Sequence, residues 1–273
     1  MEPYWDLIKR IITESDLVLE VLDARLVELS RNEEVEKLIE EVGRPVIFVV
    51  NKGDLVSKKN IRKQIEGLRE KGEVVFISSK SPKTTKILLY QIKKVFQKYG
   101  KREKPLFMKF DEKPKYREAR AEIVVGILGY PNVGKSSIIN ALCHKKKVMV
   151  SKKSGTTHGI HWIRASDEIK LIDSPGVIPL ANNDEIRYGL IGAKDIERLK
   201  NPELVTHAII QLFLKNNKKA FEKFYGIEMS EDVYEVIEEL GRKKAHLLKK
   251  GIIDENRTCS MIIRDWQQGR LRL

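Results

Sequence analysis

Cysteine is nearly absent: the 273-residue chain has only Cys143 and Cys259. Neither a disulfide framework nor a four-cysteine zinc site can be built from two thiols. Aromatic residues are sparse, at 7%. Long apolar runs are missing, since no stretch approaches the roughly 20 residues that cross a bilayer. Met1–Arg10 has no charged-then-apolar signal pattern, and the Leu17–Leu22 run is short and interrupted by Glu20. These gaps argue against a stapled secreted scaffold and against a membrane partner, and the expected location is cytoplasmic.

What is present is an ordinary 41% of hydrophobic residues, enough for a packed core, beside 33% charged residues and a formal net charge of +13. A chain this basic suits a polyanionic partner, nucleic acid first. A mixed Lys/Glu surface that serves solubility or heat resistance gives the same sum. Only the position of the charges separates the two.

Leu17–Leu22, Pro45–Val50 and Val74–Ile77 are short apolar runs of strand character. Each is followed by a polar or amphipathic stretch of helical period, respectively Asn32–Glu41, Lys58–Lys71 and Ile87–Phe96. This alternation predicts βα units and a mostly parallel sheet. Tyr99–Ala121 breaks the pattern with Pro105, Pro114 and an excess of Lys and Arg, and reads as a connector. Ile123–Leu128 resumes as a strand, leads into a Gly-rich turn, and is followed by a helix over Ser136–Cys143. Ile160–Ala165 and Glu168–Ile172 flank Ser166-Asp167 as a hairpin. Pro202–Leu214, Lys218–Tyr225, Ser230–Leu240 and Asp254–Gln267 read as helices, with Ser230 and Asp254 as N-caps. The expected architecture is an α/β domain over residues 1–200 and a small α-helical domain over 201–273.

Gly129-Tyr130-Pro131-Asn132-Val133-Gly134-Lys135-Ser136 matches the phosphate-loop pattern, after a strand and opening a helix. Its glycines let backbone N–H groups of Asn132, Val133, Gly134, Lys135, Ser136 and Ser137 gather around phosphate oxygens at a helix N-terminus. Lys135 is expected at the β- and γ-phosphates and the Ser136 hydroxyl at Mg²⁺. Leu171-Ile172-Asp173-Ser174-Pro175-Gly176 supplies a carboxylate at a strand end, with Asp173 on the metal side and the Gly176 N–H towards the γ-phosphate. Asn51-Lys52-Gly53-Asp54 follows another strand. An aspartate there accepts two hydrogen bonds from the ring N–H and exocyclic amine of guanine, a donor pair adenine lacks. Asn51 is expected to bind the base's ring nitrogen and tie the loops together, while the Lys52 stem covers the base face. Ser78-Ser79-Lys80, in the next βα turn, offers a backbone N–H, taken as that of Ser79, to the guanine carbonyl. GTP and GDP are therefore the expected ligands.

The usual order of these motifs in GTPases puts the phosphate loop first and the base-reading loops last; here the order is reversed around Tyr99–Ala121. The chain resembles the circularly permuted GTPases, most closely the YlqF/RbgA-like ribosome biogenesis family with its archaeal and nucleolar relatives. Val21-Leu22-Asp23-Ala24-Arg25, a strand ending in Asp-Ala-Arg, adds to the likeness, as does Ile263-Arg264-Asp265-Trp266 with Gly269-Arg270 in the tail.

The resemblance implies a GTP-hydrolysing switch with partners in large ribosomal subunit precursors and their ribosomal RNA. Lys145–Lys147, Lys152-Lys153, Arg242–Lys244, Lys249-Lys250, Arg264, Arg270 and Arg272 are the candidate RNA contacts. It implies Thr157, rather than Thr156, as the threonine that meets Mg²⁺ when the γ-phosphate is present. Val177 stands where Ras-like enzymes carry a water-orienting glutamine, so intrinsic hydrolysis should be slow. Related GTPases with an asparagine at the position of Asn132 use it to hold K⁺. Lys135, Thr157, Asn132 and Gly176 are thus the candidate catalytic set. His158 and His161 read as bystanders, and the histidine that bacterial members carry near the N-terminus has no counterpart here.

Overall fold

The computed structural model describes residues 4–78, 81–101, 123–143, 160–173 and 184–273. Its elements in chain order are α1 (Tyr4–Glu14), β1 (Leu17–Asp23), α2 (Val27–Ser30), α3 (Glu33–Val42), β2 (Val46–Asn51), α4 (Lys58–Lys71), β3 (Glu73–Phe76), α5 (Pro82–Tyr99), β4 (Ile123–Leu128) and α6 (Lys135–Leu142). They continue with β5 (His161–Arg164), β6 (Ile169–Asp173), α7 (Glu185–Leu190), α8 (Pro202–Asn216), α9 (Lys218–Tyr225), α10 (Val233–Lys243) and α11 (Glu255–Gln267). The fold class is α/β. The proposed connector lies almost entirely outside the described residues.

The strands form one six-stranded sheet in the order β3-β2-β1-β4-β6-β5, parallel except for the β5–β6 hairpin. All seven residues of β1 are buried, which requires cover on both faces. That explains why Leu17–Leu22 reads as an apolar run broken only by Glu20 and not as an alternating one. The close approach of helix to sheet is built in at Gly126, where a Cβ would stand 2.5 Å from the Ser15 hydroxyl.

Two compact units emerge. Met1–Gly53 with Gln64–Pro179 form the first, and Asp54–Lys63 with Leu180–Leu273 the second. In the first, α1 packs on α3 and β4 through Leu7, Ile8, Ile11 and Ile12, a stripe of helical period that the reading of the N-terminus passed over. The second is held by Ile209, Ile210, Phe213, Phe221, Ile262, Ile263 and Trp266, all fully buried. The Trp266 Nε1–H donates to the Leu190 carbonyl at 2.7 Å, tying α11 to α7. The short helix α7 was also missed in the sequence. Helix α10 starts later than expected: Asp232, not Ser230, is its N-cap, accepting from the Tyr234 N–H at 2.8 Å. Ser230 supports that cap by accepting from the Asp232 N–H. No described helix is long and apolar enough to cross a membrane.

Candidate nucleotide-binding site

The phosphate loop follows β4 and runs into α6. Gly129 (φ +147°) lies so close to β1 that a Cβ would stand 2.7 Å from the Val21 carbonyl oxygen. Asn132 takes a left-handed φ of 61°, which asparagine tolerates better than branched residues. Val133 and Lys135 are buried, whereas Asn132, Ser136 and Ser137 are exposed. The Lys135 ammonium folds back to donate to the carbonyls of Gly129 and Tyr130 at 2.7 and 2.8 Å. Burial pushes its pKa down to about 8, with the charge of Asp173 acting in the opposite direction. A polyanion would add counter-charge at this buried lysine.

Asp173 ends β6 opposite Ile127 of β4, the neighbouring strand that feeds the phosphate loop. It is buried. Its carboxylate and the exposed Ser136 hydroxyl are both oxygen donors, the kind a hard cation such as Mg²⁺ accepts. Among the described residues no cluster of three or more His, Cys, Asp or Glu offers another metal site. Thr157, Gly176, Ser79 and Lys80 lie outside the described residues, as do Lys145–Lys147, Lys152-Lys153, His158 and Val177.

The Asn51-Lys52-Gly53-Asp54 run leaves β2 and enters a 3-10 turn over Gly53–Leu55. Buried Asn51 donates from Nδ2 to the Val133 carbonyl at 3.0 Å, joining this run to the phosphate loop 82 residues away. Gly134 (φ +104°) makes room for it, since a Cβ there would stand 2.1 Å from Asn51 Nδ2. The Gly53 N–H donates to the Ile77 carbonyl at 3.1 Å, joining it to the chain just after β3. There Ser78 is fixed by Thr84, whose Oγ1 accepts from the Ser78 N–H at 3.1 Å and donates to its carbonyl at 2.9 Å. Helix α5 begins just beyond with Pro82 in its first turn.

A further residue belongs to this arrangement. Asp23, at the end of β1, is fully buried and accepts from Lys52 Nζ at 2.7 Å and Arg25 Nη2 at 2.9 Å. The Arg25 backbone N–H and Nε also donate to it, at 3.0 and 3.1 Å. Burial alone would raise its pKa, but Arg25 and then Lys52 outweigh that and hold it well below the usual carboxylate range. Lys52 itself has a left-handed φ of 62°. The sequence marked Asp23 only as part of a recurring Asp-Ala-Arg, with no role attached. A second brace joins Tyr130 of the phosphate loop, whose hydroxyl accepts from Asn32 Nδ2 at 3.0 Å, to Glu20, which accepts from the Asn32 N–H at 3.1 Å. Glu20 is fully buried, and burial followed by the charge of Glu36 raises its pKa to about 8.

Fold and loops together define a P-loop guanine-nucleotide-binding protein whose base-reading strand precedes its phosphate-binding strand in the chain. The 50S ribosome-binding GTPase family matches residues 124–249. Over 269 residues the chain is 36% identical to an uncharacterized GTP-binding protein of Methanocaldococcus jannaschii, covering 98% of this chain and 66% of that one. It is 27% identical over 265 residues to ribosome biogenesis GTPase A of Priestia megaterium, covering 94% and 88%. GNP-bound YlqF from T. maritima shares the fold, with a TM-score of 0.63 at 22% identity over 98% of this chain and 94% of that one. The chain belongs to the circularly permuted GTP-binding proteins of the YlqF/RbgA type. It spans about two thirds of the length of the M. jannaschii relative and about half that of nucleolar GTP-binding protein 2 from Pneumocystis carinii.

Proposed function

We propose that this chain hydrolyses GTP to GDP and works as a nucleotide-dependent switch in assembly of the large ribosomal subunit. The observation that carries the reading is the Asn51–Val133 hydrogen bond, which joins a guanine-type base motif to a phosphate loop. Family membership adds support, since the matching family and the Priestia relative are described as ribosome-binding and ribosome-biogenesis GTPases.

In this reading Asp54 accepts from guanine, Asn51 and Lys52 shape and cover the base, and Ser78, Ser79 and Lys80 form the second base loop. Val133, Gly134, Lys135, Ser136 and Ser137 hold the phosphates, and Lys135 exchanges its two carbonyl partners for β- and γ-phosphate oxygens. Ser136, Thr157 and Asp173 would hold Mg²⁺, which neutralises charge on the phosphates when bound. Thr157 and Gly176 report the γ-phosphate to the rest of the chain. No glutamine stands at residue 177, so the intrinsic rate is slow, and Asn132 accommodates a K⁺ that assists it. Residues 201–273, with their basic clusters, form the module that meets ribosomal RNA on the precursor particle, in the cytoplasm.

Single-turnover GTP hydrolysis tests this, measured with and without large-subunit precursors and in K⁺ or Na⁺. Stimulation by the particle, larger in K⁺, is expected. Equal rates with and without particle would favour the alternative, a GTP-sensing RNA-binding module in which hydrolysis is incidental. Equal rates in the two salts would remove the K⁺ role from Asn132.

A further inference from the structure

Helix α5 is the longest among the described residues, 18 residues from Pro82 to Tyr99, and its charges are of one sign. It carries Lys83, Lys86, Lys93, Lys94 and Lys98 and no Asp or Glu. The other described helices of ten residues or more mix the two signs. The inner face of α5 is occupied: Thr85, Leu88, Ile92 and Val95 are buried, and the helix packs on β1, β3 and α6. All five lysines lie on the exposed side. Ile87 and Tyr90 stand among them at 54% and 68% exposure, and no other large hydrophobic side chain among the described residues is as exposed as Tyr90. Helical spacing puts Lys86, Tyr90 and Lys94 in one row along the surface, each one turn from the next.

The helix's own stability does not account for this pattern. The first turn of a helix favours carboxylates over cations, because its N–H groups leave positive charge there. Lys83 stands in that turn and Lys86 just past it, and the turn holds no acid. Like charges one turn apart are unfavourable as well, and α5 has two such pairs, Lys83 with Lys86 and Lys94 with Lys98. A face that served solubility alone would intersperse glutamates with the lysines. Lys93 finds a carboxylate only outside the helix, on Glu168. Lys83, Lys86 and Lys94 have none among the described residues.

We propose that this face of α5 is an RNA-binding surface: its lysines meet successive phosphates and the Tyr90 ring stacks on an unpaired base. From Lys83 to Lys98 the row is about 22 Å long, enough to follow several nucleotides. An acidic protein surface would satisfy the lysines but give the Tyr90 ring no specific partner, whereas every unpaired base has a face to stack on it. The proposal rests on the reading that the partner of this chain is RNA. It adds to the basic tail a binding face on the unit that contains the sheet.

The probe is a fluorescein-labelled oligouridylate of about 20 nucleotides, titrated by anisotropy at several salt concentrations in excess GDP, which keeps the phosphate loop occupied. The triple variant Lys83→Gln/Lys86→Gln/Lys94→Gln is expected to bind more weakly. The slope of log affinity against log salt should become shallower by about 2, three phosphate contacts at about 0.7 each. Tyr90→Ala should lose about tenfold or more in affinity with its salt slope unchanged. GDP affinity should equal wild type in both, and the triple variant should melt no lower, since it removes repulsive pairs. A triple variant that keeps the wild-type slope, or a Tyr90→Ala chain that binds as tightly as wild type, would overturn the proposal. So would displacement of the probe by oligoglutamate as readily as by unlabelled oligouridylate, which would mark an acidic protein as the partner. A wild-type chain that binds isolated large-subunit ribosomal RNA but not the oligouridylate would overturn it too. One that binds neither would instead overturn the RNA reading beneath it.

Discussion

Replacing Asp23 by asparagine removes one negative charge from a site where two cations converge and changes almost nothing in volume. The Arg25 backbone N–H and Nε can still donate to the amide oxygen, but neither Arg25 nor Lys52 keeps a counter-ion there. Removing one partner of a buried pair costs about 3–5 kcal/mol. The lower end applies here, because Lys52 retains 19% side-chain exposure and can turn its ammonium to water, whereas Arg25 at 1% cannot. About 3 kcal/mol corresponds to a fall in Tm of roughly 6–12 °C for a chain of this size. The pH dependence gives a sharper check. The folded-state pKa of Asp23 is depressed, so its stabilisation is complete above the unfolded value, about 4. It is lost only as pH falls from there through the lower folded value. The gap in Tm between wild type and Asp23→Asn should therefore be constant from pH 7 to about 5 and narrow below about 4. Lys52→Met on its own should cost less than Asp23→Asn. A Tm at pH 7 unchanged within a degree, or a gap that does not narrow on acidification, would refute this role of Asp23.

Glu20→Gln keeps the shape of a carboxyl whose pKa stands at about 8 in the fold. The native state holds that proton where the unfolded chain has released it, so wild-type stability falls as pH rises from about 4.5 to 8. Denaturant melts should show the variant gaining on wild type across that window, on the order of 4 kcal/mol by pH 8. Gly134→Ala places a Cβ on Asn51 Nδ2 at a φ of +104° and must break the bond to Val133. Calorimetric titration is expected to find GDP binding weakened by at least about tenfold in a folded protein. An affinity equal to wild type would separate the base loop from the phosphate loop.

Where the sequence could be read, local chemistry determined the element. Lys218–Tyr225 lies between Asn217 and a left-handed Gly226, and both ends were legible. Ile123–Leu128 was legible as an apolar run followed by glycines. The start of α10 was less so, because Ser230, Glu231 and Asp232 are successive capping candidates and only tertiary placement selects Asp232. Helix α1 carries a clear aliphatic stripe, but such a stripe is easily overlooked ahead of a strand that is itself apolar. The site was legible as motifs and not as a network. Nothing local to Asp23 says that it meets a lysine 29 residues on, or to Asn32 that it meets a tyrosine 98 residues on. Those pairs arise because the sheet order puts β1 between β2 and β4. The same limit hid the hydrogen bond from the Leu273 N–H to the Leu55 carbonyl at 2.8 Å, which no periodicity announces.

That central position explains why β1 carries two buried carboxyls, Glu20 and Asp23, which titrate in opposite directions although three residues apart. Asp23 has two cations in contact and stays ionised. Glu20 accepts one backbone N–H and feels the like charge of Glu36, while Arg31 and Lys71, the cations that act on it, are bonded to Glu36. A carboxyl so placed is cheaper to keep protonated than charged. Burying either group costs stability that an apolar strand would not lose. What offsets the loss is the loop each one fixes: Asp23 holds Lys52 of the base run, and Glu20, through Asn32, holds Tyr130 of the phosphate loop. The two loops come from opposite neighbours of β1, so the strand between them is the element from which both can be braced. An apolar replacement at Glu20 should therefore leave a sheet that is as stable or more so, flanked by a phosphate loop that binds nucleotide less well, whereas at Asp23 it strands the buried Arg25 and costs stability as Asp23→Asn does.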